Sequence, residues 1–400
     1  MLILNRKHTD LFFKYLFRIV SLFSVLALVS ILFFVFSQGT APFLEPTARN
    51  IRLVVQRIDE ITVNGVLYAN HSTFIDLDEH ASSISLKFID AGEEISVNIT
   101  IAANEKDPRS MLVFDSIIPG NGAVMYPEAY VYTITWPGMV SALDRKVHIL
   151  LPEPPYGFGA FIAGLQWQPS KNKVYGILPM IAVTLMAAFG AILLGVPIAL
   201  LCAMFLAEFL PDGIAMLVRS GIELLAGIPS VVYGFFGLMV IVPAVKSIFN
   251  IPSGNTLLSA IIVLALMILP TIVTIAETSL RAVPRANREA SLSLGASKMQ
   301  TCWHVVLPHA HSGVIAGIIL GISRAVGETM AVILVAGNSP QMVHSPLQSV
   351  RTLTATIAME MGYASGRHSE ILFSIGAALF VIILVLNSLI LFMRRNMEAA

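Results

Sequence analysis

Long apolar runs are the feature that most restricts what this chain can fold into. The first run, from about Arg18 to Phe36, is long enough for a helix to cross a hydrocarbon core of roughly 30 Å. Five further runs of adequate length lie near 177–203, 221–243, 257–276, 312–336 and 370–392. With 56% hydrophobic and 12% charged residues, the chain lacks the polar surface of a water-soluble protein. The sequence therefore predicts an all-α polytopic membrane protein with six transmembrane helices.

Basic residues predict how these helices are oriented. Basic residues are expected on the cytoplasmic side of a membrane, where they cluster near the ends of the spans. They precede the first run, follow the last, and populate the loop 277–311, whereas the loop 244–256 carries only Lys246. We therefore expect both termini to be cytoplasmic, with residues 1–37 forming the N-terminus and the first helix. A cleaved signal peptide is the alternative, but this apolar run exceeds the usual length of about 7 to 15 residues.

The segment 38–160 does not have the composition of a membrane span. Short alternating or β-branched runs predict strands, for example 51–55, 84–88 and 95–99, and Asn64-Gly65 is a two-residue hairpin signal. Pro152, Pro154 and Pro155 then mark a boundary before the chain returns to the membrane. We therefore expect an extracytoplasmic β-rich domain inserted between the first and second helices.

Sequence motifs for enzymatic chemistry are absent. The chain contains no Gly-x-x-x-x-Gly-Lys-Ser/Thr loop for nucleotide phosphates, no His-Glu-x-x-His and no Gly-x-Ser-x-Gly. We therefore predict a protein that is not an enzyme and has no catalytic residues, no metal ion, no cofactor and no nucleic-acid partner.

The loop 277–311 is the most informative segment of the predicted membrane domain, 161–395. Pro284 can begin a helix on which small residues and Glu289 share one face. Gly295 is expected to end that helix, and a second short helix can run from about Ser297 to His304 before Pro308 ends it. A surface helix without a partner would explain this pattern equally well.

One motif in this loop resembles the coupling-loop signature of bacterial ABC-importer permeases, Glu-Ala-Ala-x3-Gly-x9-Ile-x-Leu-Pro. The chain carries Glu289, Ala290 and Gly295, followed at the same spacing by Leu307 and Pro308. Ser291 replaces the second alanine, and Val305 replaces the isoleucine. The resemblance implies that these residues dock on a separate ATPase subunit and transmit its closure to the membrane helices.

A second informative segment is the run 312–336. Gly313, Gly317 and Gly321 recur at four-residue spacing and predict close helix packing. Arg324 and Glu328 are four residues apart on the same side, at membrane depth. Each charge costs at least about 2.5 to 3.5 kcal/mol there, which favours a bundle interior or a hydrated path. Either the two charges neutralise each other and lock the bundle, or Arg324 binds a passing oxyanion that Glu328 positions.

Two stretches resemble phosphate-importer permeases of the ABC class. They are 321–332, Gly-Ile-Ser-Arg-Ala-Val-Gly-Glu-Thr-Met-Ala-Val, and 223–234, Glu-Leu-Leu-Ala-Gly-Ile-Pro-Ser-Val-Val-Tyr-Gly. In that family the proline interrupts a pore-lining helix, and Met330-Ala331-Val332 favours the PstC type over the PstA type. The resemblance places Arg324, Glu328 and Glu223 on the substrate pathway.

The same resemblance implies a set of partners. These are ATPase subunits, a second similar permease, an extracytoplasmic phosphate-binding protein and phosphate, at a bacterial inner membrane. The alternatives are a permease for molybdate or sulfate, a transporter that uses no ATP, and a non-transporting sensor. The β-rich segment 38–160 departs from the family, whose members usually have a much shorter loop there.

Overall fold

The chain forms a helical membrane protein with a strand-containing segment after the first helix. The computed structural model describes residues 6–44, ten strands between 52 and 150 without the turns that join them, and residues 155–170 and 173–399. The helices are α1 Arg6–Leu44, α2 Phe158–Ala163, α3 Leu178–Met204, α4 Asp212–Ala226, α5 Ser230–Phe236, α6 Val242–Phe249, α7 Leu257–Arg281, α8 Arg285–Ser293, α9 Lys298–Thr301, α10 Leu307–His309, α11 His311–Gly327, α12 Met330–Val335, α13 Leu353–Glu360 and α14 Arg367–Ala399. π-helical turns follow α3, α5 and α9, at Phe205–Phe209, Gly237–Ile241 and Cys302–Val306.

Five helices among the described residues are long and apolar enough to cross a membrane. They are Lys14–Leu44, Leu178–Phe209, Ser230–Phe249, Leu257–Arg281 and Arg367–Phe392. A sixth candidate is the pair Lys298–His309 and His311–Gly327, which meet at an angle of 74°. The six-span count therefore stays a prediction.

Two of the predicted spans are interrupted. The run 221–243 is divided as the family resemblance implied: α4 ends at Ala226 and a new helix begins at Ser230, because Pro229 cannot continue a helix from the residues before it. The run 312–336 is divided into α11 and α12 by Glu328 and Thr329, both of which lie outside the helices. Only the second interruption lies within a stretch that was expected to be continuous.

The membrane core is built around α7, which packs against α3 and α11. Small residues allow this close approach: Ala187, Ala191 and Ala199 of α3 are buried in the same cluster as Ile268 and Ile272 of α7. The regularly spaced glycines of α11 face α7, which agrees with the close helix packing that the sequence predicted. A Cβ added at Gly317 would lie 3.2 Å from Cβ of Ile275, and one at Gly321 would lie 2.8 Å from Cδ1 of Ile272.

The segment between α1 and α2 contains two five-stranded antiparallel sheets. The strands are β1 Arg52–Gln56, β2 Glu60–Val63, β3 Val66–Ala69, β4 Phe74–Asp76, β5 Ser83–Asp90, β6 Glu93–Ile101, β7 Leu112–Ser116, β8 Val124–Glu128, β9 Val131–Thr135 and β10 Lys146–Leu150. Their orders are β4-β1-β10-β9-β8 and β3-β2-β5-β6-β7. The first strand pairs with the last, Arg52 opposite Leu150, so the chain enters and leaves this segment side by side. That it is an independent extracytoplasmic domain stays a prediction.

The chain returns to the helices beside the point at which it left them. The amide of Tyr156 donates to the carbonyl oxygen of Pro42 at 2.7 Å, and the hydroxyl of Ser374 donates to that of Gly39 at 2.7 Å. A short hairpin, β11 Trp167–Gln168 and β12 Val174–Tyr175, then leads into α3. Phe161, Tyr175 and Met180 are fully buried there against the start of α14. This second core joins α1, α2, α3 and α14 at one end of the bundle.

Candidate functional site

The segment 284–310 begins with a helix and a tight turn. α8 starts after Pro284 and ends at Ser293, close to the predicted bounds. Gly295 follows with a φ of 83°, a conformation that favours glycine, and a Cβ there would meet no atom within 4 Å. Glycine is therefore required at this position by backbone conformation and not by crowding.

A second helical run completes this segment. It starts at Lys298 with a capping box, in which Ser297 Oγ accepts the amide of Gln300 at 3.2 Å and Gln300 Oε1 accepts the amide of Ser297 at 2.8 Å. The expectation that Pro308 ends the run is wrong, because the chain stays helical to His309. Pro308 follows the π-helical turn Cys302–Val306 and lies one residue before the run ends.

The residues that match the coupling-loop signature lie mostly on the surface. Glu289, Ala290, Gly295 and Pro308 are exposed, and Leu307 is half-buried against the membrane core. Exposed apolar side chains accompany them, and Leu294 at the turn is 89% exposed. The others are Leu292, Met299 and Trp303. Several exposed apolar side chains on one surface segment are typical of a surface that binds another protein.

Sequence reasoning missed the role of Arg288, which it counted only as a basic residue of the loop. In the structure its guanidinium binds the carboxylate of Glu208, with Nε to Oε1 at 2.9 Å and Nη2 to Oε1 at 2.8 Å. The partner is 80 residues earlier in the chain, so no local pattern points to it.

Glu328 lies at the interruption between α11 and α12. Its backbone is extended, with φ of −69° and ψ of 135°, so it cannot continue the helix that carries Arg324. Its carboxylate oxygen Oε1 accepts the amide of Ala331 at 3.1 Å, and its carbonyl oxygen accepts the hydroxyl of Thr354 at 2.8 Å. The prediction that Arg324 and Glu328 share one continuous helical face is therefore wrong.

Arg324 is half-buried near the end of α11. Its Nε atom is buried and has no hydrogen-bond partner. No ion pair joins it to Glu328, although the structure describes both side chains. The two charges therefore do not lock the bundle by neutralising each other, and the guanidinium has capacity to bind a further group.

The interruption between α4 and α5 is bridged by Tyr233. Its hydroxyl donates to the carbonyl oxygen of Leu225 at 2.7 Å, across Gly227, Ile228 and Pro229. Tyr233 also lies within electrostatic range of Arg324. Glu223 is exposed near the end of α4, and no hydrogen bond or ion pair joins it to Arg324 or Glu328 within the described part of the chain.

The two interrupted spans meet at Gly234. A Cβ added there would lie 2.7 Å from Cα of Ala331, so α5 and α12 can approach this closely only because residue 234 is glycine. Ala331 is also the residue whose amide Glu328 accepts. The interruption at Glu328 and Thr329 and the one bridged by Tyr233 therefore belong to one contact region.

A buried carboxylate at the end of α13 is the centre of a hydrogen-bonded cluster that the sequence did not predict. Glu360 is 4% exposed and accepts Trp167 Nε1 at 3.0 Å, Arg351 Nη1 at 2.6 Å and His368 Nε2 at 2.8 Å. Burial raises the pKa of Glu360, but hydrogen bonds from His368 and Trp167 and the charge of Arg351 outweigh it, so the pKa lies below its usual value. This cluster joins the hairpin before α3 to α13 and α14.

Part of this membrane region matches a known protein family. Residues 195–399 match the family described as binding-protein-dependent transport system inner membrane component. The match includes both interrupted spans and the segment 284–310.

Individual proteins are similar over more than half of the chain. The chain is 38% identical over 228 residues to a probable ABC transporter permease protein, YqgH, of Bacillus subtilis, which covers 55% of this chain and 72% of that protein. It is 38% identical over 242 residues to the phosphate transport system permease protein PstC of Xylella fastidiosa. That match covers 56% of this chain and 74% of the relative. Among solved structures, it is similar to a bacterial ABC transporter involved in the import of the acidic polysaccharide alginate. The sequence identity is 16% and the TM-score is 0.46, and the match covers 61% of this chain and 85% of the other.

Proposed function

This chain belongs to the family of binding-protein-dependent transport system inner membrane components, the permeases of ABC importers, and we propose that the importer it serves carries phosphate. A permease of this family is a membrane component and not an enzyme, and it works with an ATPase and a substrate-binding protein. The relatives named as phosphate permeases support phosphate over molybdate or sulfate. They also favour an ATP-driven permease over a sensor or a transporter that uses no ATP.

The free guanidinium of Arg324 is the observation that supports an oxyanion as the transported substrate, and the relatives make phosphate the choice among oxyanions. It is half-buried, its Nε has no partner, and Glu328 does not neutralise it. An Arg side chain can donate two parallel hydrogen bonds to the oxygens of an oxyanion, and such bonds are strong where water is scarce. In this proposal Arg324 binds phosphate in the pathway, Glu328 holds α12 in place beside it, and exposed Glu223 lines the pathway on α4.

The segment 284–310 is the proposed docking element for the ATPase. Glu289, Ala290 and Gly295 are exposed beside Leu294, which suits insertion into a groove of another protein. Leu307 packs against the core and Pro308 lies next to it, so they support the base of the segment. The coupling loop is proposed to extend over residues 277–311.

The remaining expectations complete the proposed assembly. A second similar permease pairs with the membrane domain, 161–395, and both termini lie in the cytoplasm of a bacterial cell. Six spans result if residues 311–335 cross the membrane as one interrupted helix. The β-rich segment, 38–160, then lies outside the cell together with the phosphate-binding protein.

Uptake by a reconstituted complex tests this function. The chain, its second permease, the ATPase and the binding protein are placed in vesicles, and ATP-dependent uptake of labelled phosphate is measured. We expect Arg324→Ala to lower uptake by about 100-fold or more, since a lost bond to a charged group costs about 1.5 to 3 kcal/mol and a buried anion is left unpaired. Arg324→Lys should retain part of the uptake, because it keeps the charge but not the paired donors.

Competing anions decide the substrate. Excess unlabelled phosphate should abolish uptake, whereas equal concentrations of sulfate or molybdate should leave it unchanged. Full uptake by the Arg324→Ala complex, or competition by sulfate equal to that of phosphate, would refute the assignment.

A further inference from the structure

One arginine of α8 binds the ends of two membrane helices. Arg288 donates to Glu208 through Nε and Nη2, and Nη2 also donates to the carbonyl oxygen of Leu280 at 2.7 Å. Its Nη1 donates to the carbonyl oxygen of Val283. The side chains of Arg288 and Glu208 are only 18% and 15% exposed, so water screens this pair less than a surface pair.

These contacts reach two membrane helices at their ends. Glu208 lies in the π-helical turn that follows α3, and Leu280 lies in the last turn of α7. Carbonyl groups in the last turn of a helix lack partners within the helix, and a cation is favoured there by the helix dipole. Arg288 therefore connects α8 to α3 and α7 at once.

The same π-helical turn is held from a second side. Arg281 of α7 donates to the carbonyl oxygen of Leu206 at 2.9 Å and to Oε1 of Glu277 at 2.8 Å. Glu277 also accepts Arg219 Nη2 of α4 at 2.6 Å. The turn, α4 and α7 are thus joined in one network, to which α8 is attached through Arg288.

Besides the three-residue connection 282–284 that joins α7 to α8, no other side-chain hydrogen bond or ion pair from α8 to these helices is present among the described residues. α8 has no buried residue, and it packs mainly against α9 and the turn Cys302–Val306, with a hydrogen-bond contact of 2.9 Å between the hydroxyls of Ser291 and Thr301. The covalent route to α11 bends by 74° between His309 and His311. Among the described residues, Arg288 is therefore the side chain of α8 that bonds to the turn after α3, and it adds a second connection to α7 beside the covalent one.

We propose that Arg288 and Glu208 are the positioning pair through which the segment 284–310 moves α3 and α7, an inference that rests on the proposed docking of this segment on an ATPase. The pair does not touch the transported anion. It keeps α8 in register with the membrane helices, so that movement imposed on α8 becomes movement of α3 and α7. Without it, the ATPase still binds and hydrolyses ATP, but less of each cycle reaches the pathway.

The decisive measurement is the number of phosphate ions imported per ATP hydrolysed, with both quantities measured in the same vesicles. In the Arg288→Ala complex we expect this ratio to fall by about tenfold, the effect of losing a hydrogen-bonded charge pair. Copurification of the ATPase should be unchanged. Glu208→Gln should lower the ratio less, because Arg288 keeps its bonds to the carbonyl groups. Arg285→Ala is the matched control, since Arg285 is an exposed arginine of the same helix, and its ratio should equal that of the wild type.

A purely local role would give a different result. If Arg288 served only to fold α8, its variant would lose ATPase binding and phosphate uptake together, with an unchanged ratio, and the proposal would be overturned. Should Arg288→Ala fail to assemble, Glu208→Gln decides, since Glu208 lies outside the docking segment. An unchanged ratio in that variant also overturns the proposal.

Hydrogen exchange separates this inference from the proposed function. In the full purified chain, amides of residues 285–293 should exchange faster in Arg288→Ala than in the wild type or Arg285→Ala, because α8 has lost its attachment. Equal exchange in all three refutes the pair as an attachment, whatever the protein transports. A wild-type complex that imports no phosphate, with exchange changed as expected, refutes the proposed function instead.

Discussion

Glu328 shows how a charged side chain is accommodated where membrane helices are interrupted. Its carboxylate accepts the amide of Ala331 at 3.1 Å, and Thr354 donates to its carbonyl oxygen at 2.8 Å. An anion at the start of a helix is stabilised by the free amide groups there. Since Glu328 is used in this way, it does not cancel the charge of Arg324 four residues earlier. One residue therefore both fixes the start of α12 and leaves a guanidinium free.

Glu328→Ala should destabilise the protein by about 1 kcal/mol, the usual effect of removing a helix cap. Glu328→Gln keeps an oxygen that can accept the amide of Ala331, so it should be affected less. The midpoint of thermal unfolding of the purified chain measures both. Equal midpoints for the alanine variant and the wild type would contradict the capping role.

Glu360 makes the stability of the protein depend on acid pH. Because its pKa lies below the usual value of 4.5, the unfolded chain binds a proton at a higher pH than the folded chain does. The stabilisation by Glu360 is complete above pH 4.5 and is lost as pH falls through the lowered pKa of the folded state. Glu360→Gln removes this dependence, so the difference in thermal midpoint between wild type and variant should shrink from about pH 7 to about pH 3. A difference that stays constant over this range would refute the assignment.

At the scale of elements, the sequence predicted the apolar helices better than their interruptions. Hydrophobic runs place α1, α3, α7 and α14 because a membrane helix must be apolar over its whole length. The interruption at Glu328 contains no proline, and it depends on Thr354, which lies 26 residues later. Its position could not be predicted, because such hydrogen bonds form only in the folded chain.

The candidate sites were predictable to the same limited extent. The bounds of α8 and the turn at Gly295 follow from local residues, and the structure agrees with both. The attachment of Arg288 to Glu208 spans 80 residues and has no local pattern. Local spacing therefore predicts the shape of the segment, but not what holds it to the membrane helices.

The contact of α11 with α7 should fail when Gly317 gains a branched side chain. Gly317→Val would force a Cβ to 3.2 Å from that of Ile275 and add two methyl groups, which should cost about 1 to 3 kcal/mol. Gly221→Ala is the control, since that helical glycine has open space around its Cβ position and should lose no stability. Thermal unfolding of the two purified variants compares them, and a Gly317→Val variant as stable as the wild type would show that α11 and α7 are not tightly packed.

On the scale of the whole molecule, the described contacts bring the two ends of the β-rich segment together beside the helices. The chain leaves α1 just after Pro42 and returns at Tyr156, whose amide binds the carbonyl oxygen of Pro42 at 2.7 Å. Contacts of α1 with α14 continue on the same side, where Ser374 binds Gly39. Contacts of the helices therefore hold the two ends of the segment together, as the pairing of β1 with β10 also does. This arrangement is expected of a domain inserted into an existing membrane protein.

Replacing residues 47–153 by a short flexible linker should therefore leave the helical part folded. About four to six residues of glycine and serine suffice, because the two attachment points are hydrogen-bonded neighbours and such a linker spans about 5 to 6 Å times the square root of its length. The shortened chain should copurify with the ATPase and unfold at a midpoint close to that of the wild type. Tyr156→Pro in the shortened chain removes the amide that binds Pro42, and Tyr156→Phe, which loses only the hydroxyl that accepts the amide of Tyr175, is its control; the proline variant should lower that midpoint more. If the shortened chain fails to fold, the strands are part of the membrane protein's own core. If it folds, its uptake of phosphate is measured with the binding protein present. That uptake, compared with the wild type, shows what the strands contribute to transport.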